Sequence, residues 1–498
     1  MSAPKSLILV TVDCLRADHT GFMGYGRPTT PFLDELATDS FVFPKAIAVG
    51  VPTYYSFPGI MGSRFPLGLG REVVGIAPGE RTLATVLQQA GFRTAAYVAG
   101  NPYLTSRFGY AQGFEVFHDF LSGQWTGSGE GLGQTELAPD AWTRLNVQIA
   151  EAAHRVRPLG KLYDEVYFQY RLRIAAPKGQ SWNRLRRFPA ADVLVDQACE
   201  WLGSVGGQPF FLWLHFMDPH APYYPSREAL SAMGVEHIHP DRGRYLNAAW
   251  VEKSGERLRK YRDEIVGLHD AGIRWVDTQL ERLVEGLRRR ALWDSSIFAL
   301  TADHGEEFLD HGGRFHYSSR AYQEVLHAPL LMRVPGAQKA ALSEAPFSHL
   351  HLAPTILDAI GVGAPPEFAG NSYWAEVQRG GGWEWALSES IGGCTNPMEA
   401  SKRIAGRVLA VQDRRYKLVV DFDRNGEEFF DLESDPGELR SLPAAANKAE
   451  RTRLLEIGVR HLTPGRSGVN REMAMRTRLH EIGLEWKHSK MNSKTLAS

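Results

Sequence analysis

Three short apolar runs, each ending abruptly in Asp or His, constrain this 498-residue chain more than any other feature. Ser6–Val12 (SLILVTV) runs into Asp13 and the polar segment CLRADHTG; Ser296–Thr301 (SIFALT) runs into ADHGEE; Pro209–His215 (PFFLWLH) runs into FMDPHAP. A brief, β-rich run with no polar alternation reads as a strand covered on both faces. Each run therefore carries a carboxylate or imidazole to the carboxyl end of a buried strand, the edge of an open α/β sheet where ligands bind. Between the runs, Arg81–Ala90, Ala191–Leu202 and Arg262–Arg289 show apolar residues at three- and four-residue spacing. Strands alternating with helices predict an α/β fold with a large, mostly parallel sheet flanked by helices.

The pattern changes along the chain. Residues 120–187 are Gly-rich, then rich in Arg, Tyr and Trp, without a clear buried strand. They read as a largely helical insertion over the strand ends, either a packing element or a substrate lid. PLLMRVPG gives a further strand and His351–Gly361 a helix. After about residue 381, WEWALSES, RVLAVQDRRYKLVVDF and EEFFDLESDP alternate between turn residues, as in a small antiparallel sheet. The expected organisation is thus a catalytic α/β domain over 1–380, a β subdomain over 381–443 and a helical tail over 444–498.

With 43% apolar and 23% charged residues the chain has a globular composition. Its 56 basic and 57 acidic residues leave a net charge of −1, so no bulk field attracts nucleic acid or anionic lipid. Cys14, Cys199 and Cys394 are scattered and suggest neither a disulfide framework nor a zinc knuckle. Leu7–Val12 is too short to span a bilayer and lacks a small-residue cleavage site, which gives the expectation of a cytoplasmic enzyme. A homo-oligomer is compatible with the sequence.

Asp13, Asp303 and His304 are hard or borderline ligands arriving from two strand ends, a set suited to a divalent cation. A structural alternative is that Asp303 caps a following helix and His304 packs.

LVTVDCLRADHTGFMGYGRPTTPFLDELA resembles the opening block of sulfatases and related phosphohydrolases. TADHGEEFLDHG, with His316, Tyr322 and HAPLLMRVPG, resembles their second metal block. HFMDPHAPYYP, APTILDAIG and FFDLESDPGE are similar to three further blocks, in the same order, over about Leu7 to Glu438. The resemblance is to the sulfatase family of the alkaline phosphatase superfamily, and it implies an alkaline phosphatase-like fold and ester hydrolysis.

Three departures refine what the resemblance implies. Sulfatases carry CxPSR, whose Cys matures to formylglycine; TYYSFPGIMGSRFP instead places Thr53 at that Cys, Ser56 at the motif Ser and Phe57 at its Arg. Formylglycine cannot form there, and the resemblance shifts to members with a Ser or Thr nucleophile, which implies Thr53 as a metal-activated nucleophile, with Ser56 as second choice. The bland alternative is that Thr53 caps a helix beginning near Ser56. Asp13-Cys14 replaces the usual Asp pair, which favours Mn²⁺ or Zn²⁺ over Ca²⁺ or Mg²⁺. The Lys-x-His anion motif is absent, and Asn101 stands near its place.

His220 resembles the family histidine that contacts the phosphoryl or sulfuryl oxygens, and His316 falls where sulfatases often have Lys and two-metal phosphatases have His; with one metal, both are read as oxyanion stabilisers or leaving-group acid. In a two-metal reading, Asp218, His220 and His316 hold a second cation. His311 borders the site, and Arg16 and Arg314 are candidate anion contacts. His237, His239, His269, His349 and His351 form no constellation and are taken as structural. The function expected is metal-dependent hydrolysis of a small-molecule phosphate, phosphonate or sulfate ester, phosphoesters being favoured. Transfer to an acceptor alcohol and a non-catalytic binding role are the alternatives.

Overall fold

A computed structural model of the chain describes residues 6–121, 181–247, 256–312 and 321–462, except positions 72, 393, 395, 396, 399–402, 404, 423, 425 and 444, together with the isolated positions 149, 159, 163, 166 and 315. His316, Arg314, nearly all of the expected insertion and the tail beyond residue 462 lie outside the described residues.

The three apolar runs are adjacent strands at the centre of an eight-stranded sheet. Its strands are β1 (Ser6–Val12), β2 (Phe41–Ile47), β3 (Arg93–Val98), β4 (Val116–His118), β5 (Phe210–Phe216), β6 (Ser296–Ala302), β7 (His327–Arg333) and β8 (Phe347–Ser348). They run in the order β4-β3-β5-β1-β6-β7-β2-β8. Pairing is parallel from β4 through β6, whereas β7 runs antiparallel to both β6 and β2. The sheet is therefore mixed on one side, and β2, β3 and β4, which carry weaker apolar signals, join the strands expected from sequence.

Alternation along β1 explains why its whole run is apolar. Leu7 and Leu9 enter one core with Phe57, Ile60 and Trp213, while Ile8, Val10 and Val12 enter the opposite core with Leu194, Leu212 and Leu283. Helix Thr53–Gly62 covers the first face, and helices Ala191–Ser204 and Arg262–Arg289 cover the second. Among the described residues, no helix is long and apolar enough to cross a membrane.

A second sheet, β9 (Ala386–Ile391), β10 (Arg407–Gln412), β11 (Tyr416–Asp421) and β12 (Gly426–Asp431), is wholly antiparallel. Helix Lys448–Leu462 packs Leu454, Ile457 and Leu462 against its Leu409, Val411 and Leu418. Buried Glu389 ties three segments together: it accepts from Arg407 Nη1 at 3.0 Å, from His461 Nε2 at 2.9 Å and from the Leu67 amide at 3.0 Å. Burial opposes its ionisation, but Arg407 and His461 outweigh this and bring its pKa down to about 2. Glu389→Gln leaves the Arg407 charge buried without its counter-ion, and we expect a loss of about 3 kcal/mol in urea unfolding at neutral pH. Because the folded pKa is depressed, this contribution is present above the ordinary carboxylate range and fades as pH falls towards about 2. The difference between wild type and variant should therefore shrink in acid.

Candidate active site

Strand register brings the candidate ligands together. Thr11 pairs with His215 on one side and Thr301 on the other, and Val12 pairs with Ala302, so Asp13 and Asp303 leave neighbouring strands at the same level. With a period of two, Asp13 continues the face of Leu9 and Thr11, and Asp303 that of Ala299 and Thr301. This is the face covered by helix Thr53–Gly62. That helix starts at Thr53, with Pro52 at its N-cap and no side-chain cap, so neither a start near Ser56 nor a capping role for Thr53 holds. Thr53 instead turns its hydroxyl to the strand ends. Its Oγ1 lies 3.4 Å from Asp13 Oδ2 and 3.4 Å from His304 Nε2. Ser56 Oγ is buried without a hydrogen-bond partner, so it makes no hydrogen bond to this cluster.

The imidazole of His304 is fixed by its neighbour: Nδ1 donates to the Gly305 carbonyl at 2.7 Å, which leaves Nε2 facing Asp303 Oδ2 at 3.6 Å and Asp13 Oδ1 at 3.9 Å. Gly305 is required by close approach rather than by an unusual dihedral, since a Cβ there would stand 2.0 Å from the Glu324 carbonyl oxygen. Asp303 caps no helix; its Oδ1 accepts from its neighbour's amide, that of His304, at 2.9 Å. Asp13, Asp303 and His304 bring three ligand atoms within 4.8 Å of one another.

Two carboxylates excluded from water at this separation require compensation. Burial and then the Asp13 charge push Asp303 up to about 6. Asp13 is held well below the usual range, because His220, His215 and His304 together outweigh its burial. His304 is raised, its burial being overcome by Asp303 and then Asp13. Asp303 Oδ2 is buried without a hydrogen-bond partner. Oxygen and nitrogen donors with one orphaned carboxylate oxygen fit a divalent cation.

Asn101 is drawn in from the end of β3. Its Nδ2 donates to Asp13 Oδ2 at 2.9 Å, and its Oδ1 accepts from the Tyr103 amide at 3.0 Å, so it orients the carboxylate. Asn101→Ala should weaken Mn²⁺ binding by about 10–100-fold, read by calorimetric titration of metal-free protein. His220 donates from Nδ1 to the Ala221 carbonyl and forms a second potential ligand group with Asp13 and Cys14. Asp218 points elsewhere: Oδ1 accepts from the Ala191 amide at 3.3 Å, and Asp218 joins none of the potential ligand groups among the described residues.

Arg16 is engaged by Asp18, Asp310 and the Glu306 carbonyl, which makes it a buried tether rather than an anion contact. His311 bonds Glu324 at 2.8 Å and the Glu438 carbonyl at 3.2 Å, a bridge to the segment after β12. Sequence reasoning passed over His215 as a site residue. Its Nε2 lies 3.4 Å from Asp13 Oδ2 and its Nδ1 3.0 Å from Thr11 Oγ1. The available signal was an imidazole on the Thr11 face of an otherwise apolar strand.

The chain is similar to known proteins along most of its length. The Sulfatase family model matches residues 5–362, and the N-sulphoglucosamine sulphohydrolase C-terminal model matches residues 312–463. The chain belongs to the sulfatase family. It is 22% identical over 482 residues to an arylsulfatase of Clostridium perfringens, covering 90% of this chain and 92% of that protein. It is 25% identical over 277 residues to a sulfatase of Formosa agariphila, but spans only 50% of that relative's length. The phosphonate monoester hydrolase of Agrobacterium radiobacter shares the fold, with a TM-score of 0.59, 19% identity, and coverage of 92% of this chain and 96% of that one. The protein yidJ of Bacteroides fragilis, described as a putative sulfatase, aligns with a TM-score of 0.64 at 16% identity, over 95% and 98% of the two chains.

Proposed function

We propose that this sulfatase-family protein hydrolyses a small-molecule phosphate or phosphonate ester, with Thr53 as nucleophile. The observation that carries the reading is the position of Thr53 Oγ1, at a helix N-terminus and 3.4 Å from both Asp13 and His304. A divalent cation held by Asp13, Asp303 and His304, Mn²⁺ or Zn²⁺ by preference, supplies Lewis-acid stabilisation and a lowered hydroxyl pKa. Thr53 would lose its proton to solvent and attack phosphorus; the bond to the leaving oxygen breaks as that oxygen is protonated, and water then cleaves the Thr53 ester, releasing the acid and restoring the hydroxyl. His220, with His316 by family resemblance, stabilises the phosphoryl oxygens or protonates the leaving oxygen. Asn101 and His215 keep Asp13 oriented throughout.

Phosphoryl chemistry is favoured because a Thr ester lacks formylglycine's hemiacetal route of release, so a second hydrolytic step is needed. Nitrophenyl phosphate, phosphodiester, phosphonate and sulfate, each assayed with Mn²⁺, Zn²⁺, Mg²⁺ and Ca²⁺, test this. Faster turnover of a phosphorus ester than of the sulfate supports it, and a faster sulfate overturns it. Added alcohols separate hydrolysis from transfer, since a transferase forms the alkyl product at the expense of free phosphate.

A further inference from the structure

We propose that His269 is a positioning residue for the ligand cluster, clamping the Cys14 carbonyl and so holding the turn that sets Asp13 against Asp303. The inference rests on the assignment of Asp13 and Asp303 as metal ligands. Cys14 adopts a left-handed backbone, φ 58°, which a residue with a side chain keeps only when its surroundings enforce it. Both of its peptide groups are held. Its amide donates to Asp303 Oδ1 at 3.4 Å, and its carbonyl accepts from His269 Nε2 at 3.0 Å. One backbone position thus links the two carboxylates, and His269 secures its far side. Relaxation of Cys14 to ordinary dihedrals rotates the peptide that carries Asp13.

The long helix Arg262–Arg289 provides a rigid support for this clamp. The His269 ring is wholly buried and meets Phe308, His19 and Tyr223 edge-on at centroid distances of 5.0, 5.3 and 5.8 Å. The next residue, Asp270, accepts from His19 Nδ1 at 2.7 Å, from the Tyr25 hydroxyl at 2.8 Å and from Arg27. Neighbouring side chains on one helix therefore pin the loop after β1 at its second residue and again at positions 19, 25 and 27. His19, His269 and Asp270 also satisfy the spacing of a metal site. Both oxygens of Asp270 already accept donors, one of them the Arg27 guanidinium, and His269 Nε2 is committed to Cys14, which leaves His269 Nδ1, 3.8 Å from Asp270 Oδ1 and without a hydrogen-bond partner, as the nitrogen that a cation would use.

Mn²⁺ affinity by titration calorimetry, alongside thermal unfolding of the metal-free protein, tests the clamp. His269→Leu should weaken Mn²⁺ binding by about 10–100-fold. His269→Gln, whose amide reaches the carbonyl, should restore most of it, and His269→Asn, which is too short, should not; this pair keeps the test intact where the Leu variant fails to fold. In a Cys14→Gly background, which adopts the left-handed turn unaided, the same His269 substitutions should matter less than about threefold. Unchanged Mn²⁺ affinity in His269→Leu or His269→Asn overturns the clamp, as does an equal loss with and without Cys14→Gly. Loss of one of two bound metal equivalents replaces the brace with a second cation site. Wild-type protein that binds no divalent metal refutes the underlying ligand assignment instead.

Discussion

Thr53→Val is expected to lower kcat by about three to six orders of magnitude on the best ester substrate while leaving stability within about 1 kcal/mol of wild type. Valine keeps the β-branched shape in a buried position and removes only the hydroxyl. The hydroxyl caps no helix, because Pro52 holds the N-cap, so its removal costs no capping energy. Its loss deletes covalent attack, which oxyanion stabilisation and binding cannot replace. Thr53→Ser should retain appreciable turnover. Steady-state kinetics with thermal unfolding on the same preparations decide the matter: near wild-type kcat in the Val variant removes Thr53 from the mechanism.

Asp303→Asn should abolish tight divalent-metal binding and turnover, yet make the metal-free protein more stable at neutral pH. Asp303 has its pKa raised by burial and by Asp13. The metal-free native state therefore holds this proton more tightly than the unfolded chain does. Its contribution is most favourable below the unfolded pKa near 4 and is lost as pH rises through about 6. Asparagine carries no charge to be penalised, so that part of the slope disappears. Urea unfolding of metal-free wild type and variant across this range, with metal content by elemental analysis, measures both effects. A variant that keeps its metal, or that is less stable above about pH 6, contradicts the assignment.

The candidate ligand cluster was legible in sequence for a specific reason. An apolar strand that stops at a carboxylate announces a functional edge, and parallel register then aligns Asp13 with Asp303 without further information. The helix Arg262–Arg289 was equally plain, because its apolar spacing persists over seven turns' worth of sequence. What stayed hidden depends on contacts distant in the chain. His215 looks like a core residue until strand pairing places it beside Thr11, 204 positions away. His269 and Cys14 are 255 positions apart, and neither the left-handed turn nor the clamp has a local signature. The antiparallel placement of β7 is similarly invisible, since a buried strand reads alike in either direction. Arg16 misled for the opposite reason: an arginine near a site invites an anion, but Asp18 and Asp310 take its donors.

The central claim is that Thr53 forms the covalent intermediate. Acid-quenched turnover of a nitrophenyl phosphate or phosphonate, followed by proteolysis and mass spectrometry, tests it most directly. A phosphoryl or phosphonyl adduct is expected on the peptide containing Thr53, localised to that side chain by fragmentation and absent from Thr53→Val. An adduct on Ser56, or the same adduct recovered from Thr53→Val, would contradict it.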